Sequence, residues 1–304
     1  MLDFIADIAR LGDISRMKAL PTVLFGVLDF GLLSCGNQTH AKPVHCPANI
    51  QLANLVSESD LILVGSPSVP VELLRSAMLR DSPDYVNVPL LEPTFLKGTE
   101  NLANLHVRVY PKRTTYAPSP EDILRQMDKP TLFFLTRTDE GPVGLYLFHS
   151  LDAVQDASAS RLEDVRGELD RQRSVLRGSN IDRSLPHFNE VRQLLSELSR
   201  ASAQRQEGIF RQLEALGRNG VPAIVAQMDD HRPLPYPRIS LVNHDPNAFE
   251  GLRHYGPKLV VDALDAILNQ ITGFGGSIVN GGSERERRNA VEAWRVHAAD
   301  LKCG

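Results

Sequence analysis

Thr131-Leu132-Phe133-Phe134-Leu135-Thr136 is a continuous apolar run, bounded by Pro130 before it and the polar turn Asp139-Glu140-Gly141-Pro142 after it. A short apolar run closed by turn formers reads as a strand. Gly144 to His149 returns from the turn as a second strand. Upstream, Leu105, Val107 and Val109 alternate with His106, Arg108 and Tyr110. That period of two is the mark of a half-buried strand. Val86, Val88 and Leu90 alternate in the same way, and their segment continues through Thr94-Phe95-Leu96-Lys97-Gly98. Pro89 and Pro93 interrupt it. Neither can donate to a ladder, so this strand should be an edge or carry a bulge. Leu61-Ile62-Leu63-Val64-Gly65, following Asp60, is one more short apolar run. Some five strands with turns between them suggest a small barrel or sandwich over residues 48–157, with a small antiparallel β-barrel as the expected fold.

Downstream the period changes. Leu162, Val165, Leu169 and Leu176 fall at helical spacing among charges of both signs, which predicts a solvated helix linking the two halves. Phe188, Val191, Leu194, Leu195 and Leu198 mark a second helix. Ile209, Leu213 and Leu216 mark a third, ended by Gly217. Arg218-Asn219-Gly220 reads as a turn, after which Pro222 suits the first turn of a new helix. Leu259 to Ile271 is strongly periodic between Pro257 and Gly273. Ser283-Glu284-Arg285-Glu286 opens the last helix with a capping box. Its apolar positions are Val291, Trp294 and Ala298, which makes Trp294 a core residue rather than a binding platform. The fold class is therefore α+β, with an α-helical second domain over residues 158–304.

Two resemblances sharpen that outline. Leu61–Gly65, Phe95-Leu96-Lys97-Gly98, Leu132–Leu135 and Leu145–Phe148 come in an order that resembles netrin-like and tissue-inhibitor-like OB-barrel domains. The resemblance covers about a third of the chain and implies a binding module; the inhibitory role of the tissue inhibitors is not carried over to this chain. Leu213-x-x-Leu216-Gly217, Val221-Pro222-Ala223-Ile224-Val225 and Met228-Asp229-Asp230 resemble a HEAT-type helical hairpin, with Leu259 to Gly273 similar to a helix of a following, divergent unit. That likeness implies a stacked module used for protein contact.

The N-terminus carries its own signal. Met17-Lys18 precedes a mostly apolar run from Ala19 to Leu33, followed by Ser34-Cys35-Gly36. A positive start, a short apolar core and small residues at its end describe a secretory signal. Leu32-Leu33-Ser34-Cys35 resembles the lipobox of bacterial lipoproteins. The resemblance implies lipidation of Cys35, a true start at Met17, and a polar tether leading to residue 47. Asp29 departs from the pattern, since a charge in the apolar core is costly. The chain thus divides into an extension and signal-like segment (1–34), a tether (35–47) and the two domains. The expected location is the bacterial cell envelope, with a lipid anchor in the membrane. The alternative is a cytoplasmic helical scaffold in which residues 17–34 are a buried element.

Composition narrows the function. The 304 residues carry 33 basic and 37 acidic side chains, a net charge of −4, and no basic stripe interleaved with aromatics. Nucleic acid is excluded as the expected partner, and a protein is favoured. Three cysteines are too few for a disulfide scaffold and fit no zinc spacing. Cys46 and Cys303 can pair in an oxidising compartment. Gly-x-Ser-x-Gly and phosphate-loop motifs are absent, so the glycine-rich stretch from Gly273 to Gly282 reads as a plain loop before a capped helix. No cofactor is expected, and the reading is of a non-enzymatic interaction or scaffold module. One alternative is a metal-dependent hydrolase. It would use Asp229, His231, His244, Asp245 and His254, which gather in a segment that Pro233, Pro235 and Pro237 make an irregular connection.

Overall fold

The computed structural model describes residues 46–303 except 80–84, 100–104, 111–116, 128, 138–143, 180, 244–249 and 276–277. It opens with helix α1 (Ile50–Glu58) and strand β1 (Leu61–Pro67), then α2 (Val71–Leu79), β2 (Val86–Lys97) and β3 (His106–Val109). Helix α3 (Pro120–Arg125) precedes β4 (Thr131–Arg137), β5 (Leu145–Leu147) and β6 (Val154–Asp156). The three helices lie in the stretch whose sequence reads as strands alone. Each is short and locally capped where a cap is visible. Asn49 accepts from the Leu52 amide to start α1, and Ser119 with Asp122 forms a reciprocal box at α3.

Hydrogen bonding runs β1-β2-β3-β5-β4 and back to β1, closing a five-stranded barrel. The order is OB-like. Its pairs are antiparallel except β3–β5, which runs parallel through His106↔Leu145 and Val107↔Tyr146. This corrects the expectation of a wholly antiparallel barrel, and the reason is parity. Strands around a ring cannot alternate direction throughout when their number is odd, so one neighbouring pair must run the same way. β6 covers the first residues of β4 from outside the ring, with Phe133 opposite Val154.

The prolines of β2 act as expected of a bulge rather than an edge. β2 is paired on both sides, to β3 through Val86–Pro89 and to β1 through Leu90–Lys97. The register slips between Val64↔Thr94 and Ser66↔Leu91, where Glu92 takes φ 49°. The extra residues bend β2 from one side of the barrel to the other. Leu61, Ile62, Leu63, Val88, Val107, Leu132, Phe133 and Phe134 are all buried; successive residues of β1 and β4 face alternately into the barrel and outward under the elements that cover it.

The remaining helices are α4 (Ala159–Gly178), α5 (Phe188–Glu197), α6 (Ala203–Ala215) and α7 (Gly217–Val225). A hairpin of β7 (Ile239–Val242) and β8 (Leu252–Tyr255) separates them from α8 (Val260–Thr272) and α9 (Glu284–Asp300). Two expectations change here. The turn before α7 falls at Gly217 (φ 57°), so Arg218-Asn219-Gly220 is helical and Pro222 sits inside the helix. The proline-rich segment also contains the β7–β8 hairpin, so it is only partly irregular. α4 follows the division drawn at residue 157, yet Val165 and Leu169 belong to the barrel core.

α8 is the centre of the second core. Every residue from Val260 to Leu268 is buried, including Asp262 and Asp265. Buried carboxylates need full partnering. Asp262 accepts from the Lys258 and Leu259 amides and pairs with Arg287 at 2.7 Å. Asp265 accepts from the Ile278 amide at 3.0 Å and the Trp294 indole at 2.7 Å. Trp294 is 1% exposed, a core residue as its spacing predicts. α9 packs on both sides, touching α7 and α8 in the helical core and α1 and α4 beside the barrel.

Candidate functional site

The end of α1 and the start of β1 put two acids, Glu58 and Asp60, at one end of the barrel. Lys97, the last residue of β2, reaches the same place. Its Nζ donates to the Val56 carbonyl at 2.8 Å and the Ser57 carbonyl at 3.4 Å, satisfying the open C-terminus of α1. Gly98 follows at φ 72°, and a Cβ there would lie 2.8 Å from the Asp60 carbonyl oxygen. Only glycine lets the strand end this close to β1. Burial lowers the Lys97 pKa to about 8, against the pull of Asp60 and Glu292.

Asp60 is held from both sides of the fold. It accepts from the Arg137 amide at 2.7 Å and from the side-chain amide of Asn289 on α9. His149, just past β5, has Nδ1 3.0 Å from the Thr136 hydroxyl. Its Nε2 stands 3.7 Å from Glu58 Oε2, is buried, and has no hydrogen-bond partner. Burial pushes this imidazole down to about 4, with Asp60 opposing and Lys97 adding to the effect. Burial also raises the Glu58 carboxyl, against the stabilising N–H of Gly275.

Across from these groups stand Phe274, Gly275, Asn289, Ala293 and Trp294 from the α8–α9 connection and α9. The space between has a volume of about 530 Å³, in the range of small-molecule sites. Gly275 takes φ 73°, and a Cβ on it would lie 2.8 Å from the Trp294 ring. Phe274 meets Trp294 edge-on at 5.1 Å and stacks on His297 at 4.2 Å. The cleft therefore pairs an acidic, barrel-derived wall with an aromatic, helix-derived one.

Thr136 and His149 have the spacing of a hydroxyl and its general base. The other imidazole nitrogen, however, has no partner to orient it, so no nucleophile–base–acid chain is completed.

Three residues of the metal alternative have separate partners among the described residues. Asp229 pairs with Arg295 at 2.6 Å, His231 with Glu284 at 3.4 Å, and His254 contacts the Ser240 hydroxyl at 3.0 Å. His244 and Asp245 lie outside the described residues, as do Cys35 and the whole signal-like segment. Among the described residues, no three His, Cys, Asp or Glu side chains are grouped to hold a metal ion. Cys46 and Cys303 have their sulfurs 2.11 Å apart and their Cα atoms 5.7 Å apart, joining the start of the described chain to its end.

No family model, curated protein or solved structure matches the chain. Sequence reading passed over Glu58, Lys97 and His149 as functional residues. Each is a lone polar residue at the end of an element, and the only signal available was that all three flank apolar runs which the barrel brings to one end.

Proposed function

We propose that this protein is a non-enzymatic cell-envelope lipoprotein acting as a protein-interaction or scaffold module. In this reading Cys35 carries the lipid, residues 36–47 are the tether, and the partner is another protein of the envelope. The observation that carries it is the Cys46–Cys303 bond, which spans 257 residues and clamps the last helix to the tether side of the barrel. Such bonds persist in oxidising compartments and are rare in the cytosol. The OB-like barrel supports a binding role, since barrels of this type present strand faces and loops to ligands. On the helical side, α5, α6 and α7 pack against one another, with α6 and α7 also on α8, and this supports the HEAT-like reading.

Tyr85, Leu91 and Leu73 of the barrel half and Tyr236, Val242 and Leu252 of the helical half are exposed apolar residues that a partner would cover. Among the described residues no helix is long and apolar enough to cross a membrane. The test is fractionation of the native cells with intact-mass measurement. A membrane-bound form that begins at Cys35 and carries acyl mass is expected, and Cys35→Ala should release it. A soluble form retaining residues 17–34, with Cys46 and Cys303 as free thiols, would overturn the proposal.

A further inference from the structure

The β7–β8 hairpin ends in an open strand. β7 lies against α6 and α8, and β8 is bonded to β7 alone, so β8 is the outer edge of a two-stranded sheet. The register fixes which way its backbone points. Asn243 donates to the Gly251 carbonyl, and the ladder runs on through Leu241↔Arg253 and Ile239↔Tyr255. In an antiparallel pair, mutually bonded positions alternate with unbonded ones. Leu252 and His254 are the unbonded ones, so their N–H and C=O groups point away from β7. β7 shows the same phase, since the outward carbonyl of Val242 accepts from the Gln270 side chain. On β8 the outward groups have no partner among the described residues, and both Leu252 and His254 are exposed.

An open edge of this kind takes an extended chain, whose own N–H and C=O groups continue the ladder. The side chains decide its character. Leu252, 43% exposed, and Val242 opposite it, 45% exposed, make an apolar spot on the outer face. Arg253 projects from the other face. Its Nε donates to Asn243 Oδ1 at 3.1 Å, its terminal nitrogens are left for another acceptor, and no carboxylate pairs with it among the described residues. The register that bonds Leu252 to His254 of a second copy sets the two Arg253 side chains directly opposite one another, where like charges repel. A carboxylate at that position is favoured instead.

We propose that the free edge of β8 is a docking site for an extended acidic segment of a partner protein, added antiparallel, with a carboxylate opposite Arg253 and an apolar residue opposite Leu252. This site rests on the reading of the chain as a protein-interaction module, names the surface that meets the partner, and does not depend on lipid anchoring.

The test is fluorescence anisotropy of the purified full chain with a labelled, capped peptide, acetyl-Thr-Val-Thr-Glu-Val-Thr-Thr-amide, whose glutamate matches Arg253. Saturable binding is expected, about tenfold or more tighter than with lysine in place of that glutamate. Arg253→Glu should reverse the preference. His254→Pro removes one outward N–H, a change that an edge strand tolerates, and should weaken the glutamate peptide about tenfold or more. A peptide N-methylated at the threonine before and the valine after the glutamate lacks the matching donors and should not bind the unaltered protein, so the outcome stands even if the proline variant does not fold. No binding in the millimolar range, equal binding of the lysine or N-methylated peptide, or a dimer of the chain that His254→Pro dissolves would overturn the proposal. Photo-crosslinking in native cells separates it from the broader reading. A benzophenone at position 252 should give adducts with another protein that His254→Pro removes. Adducts from position 73 in the barrel half, with none from position 252, would overturn the edge and leave the interaction module standing; adducts from neither would overturn both.

Discussion

The carboxylate of Asp60, at the entrance to β1, accepts a hydrogen bond from the side chain of Asn289 on α9, 229 residues further along the chain. The same carboxylate holds the Arg137 amide at the end of β4. One residue thus fixes two barrel strands and the helix that leads into the second core.

Asp60→Ala should therefore destabilise the whole protein rather than the barrel alone. It leaves the Arg137 amide and the Asn289 amide without their acceptor, and it removes the charge facing Lys97. A loss of about 1–3 kcal/mol is expected, read as a lower urea midpoint with a single transition. Two separated transitions would show that the halves are not coupled through this contact.

Acid should weaken the fold before ordinary carboxylates titrate. His149 and His297 are both held at about 4 by burial, against 6.5 when free. Between those values the unfolded chain binds more protons, so stability is present in full above pH 6.5 and is lost as pH falls toward 4. For His149 the shift corresponds to about 3 kcal/mol. His149→Phe should flatten this part of the melting-temperature profile. Lys97 adds a second window by the same rule, since stability rises as pH climbs from about 8 to 10.5.

Reduction of the Cys46–Cys303 bond opens a loop of 257 residues. Long loops lose the most from being opened, and a cost of roughly 2–4 kcal/mol is expected. Melting with and without reductant measures it, with Cys303→Ser as the control that should no longer respond to reductant.

Arg171 lies between Glu168 and Asp300, at 2.7 Å from each, and all three side chains are less than a tenth exposed. Gln172 beside them donates to Glu168 and to the Ala53 carbonyl, so the network joins α4, α1 and the end of α9. Arg171→Ala strands two buried carboxylates and should cost about 3–5 kcal/mol. Arg171→Met with Glu168→Gln and Asp300→Asn, which removes all three charges together, should recover much of that loss in thermal denaturation.

Gly275 is the most sensitive position of the cleft wall. A side chain there meets both an unfavourable φ and the Trp294 ring. Gly275→Ala should lower the melting point by an amount equivalent to about 1–3 kcal/mol. Near-ultraviolet circular dichroism of the single tryptophan reports whether the ring has moved.

Much of the architecture was legible locally. The alternation at Leu105–Tyr110 and the apolar run at Thr131–Thr136 identify strands because each strand contacts a core through a period-two face. Leu259–Ile271 and the capped helix from Ser283 are legible for the same reason at period 3.6. Pro89 and Pro93 even predict that β2 departs from regularity. Less visible were α1 and α3, which are short, and the hairpin at Ile239–Tyr255, where prolines mask a four-residue alternation. The candidate site was not legible at all. Glu58, Asp60, Lys97 and His149 have no mutual spacing in sequence, and histidines nearer each other, such as His231 and His254, take separate partners in Glu284 and Ser240.

What the sequence determined by itself is the order and type of the principal elements, because hydrophobic period, caps and turn residues act over a few residues. It did not fix how many strands close the ring, and so not the need for one parallel pair. Only the tertiary structure decided which pair that is, that α4 lends Val165 and Leu169 to the barrel, and that α9 carries Asn289 to Asp60. Burial decided the chemistry in turn. A histidine near 4 and a lysine near 8 are products of desolvation among residues up to two hundred positions apart, a property that exists only once the chain has closed around them.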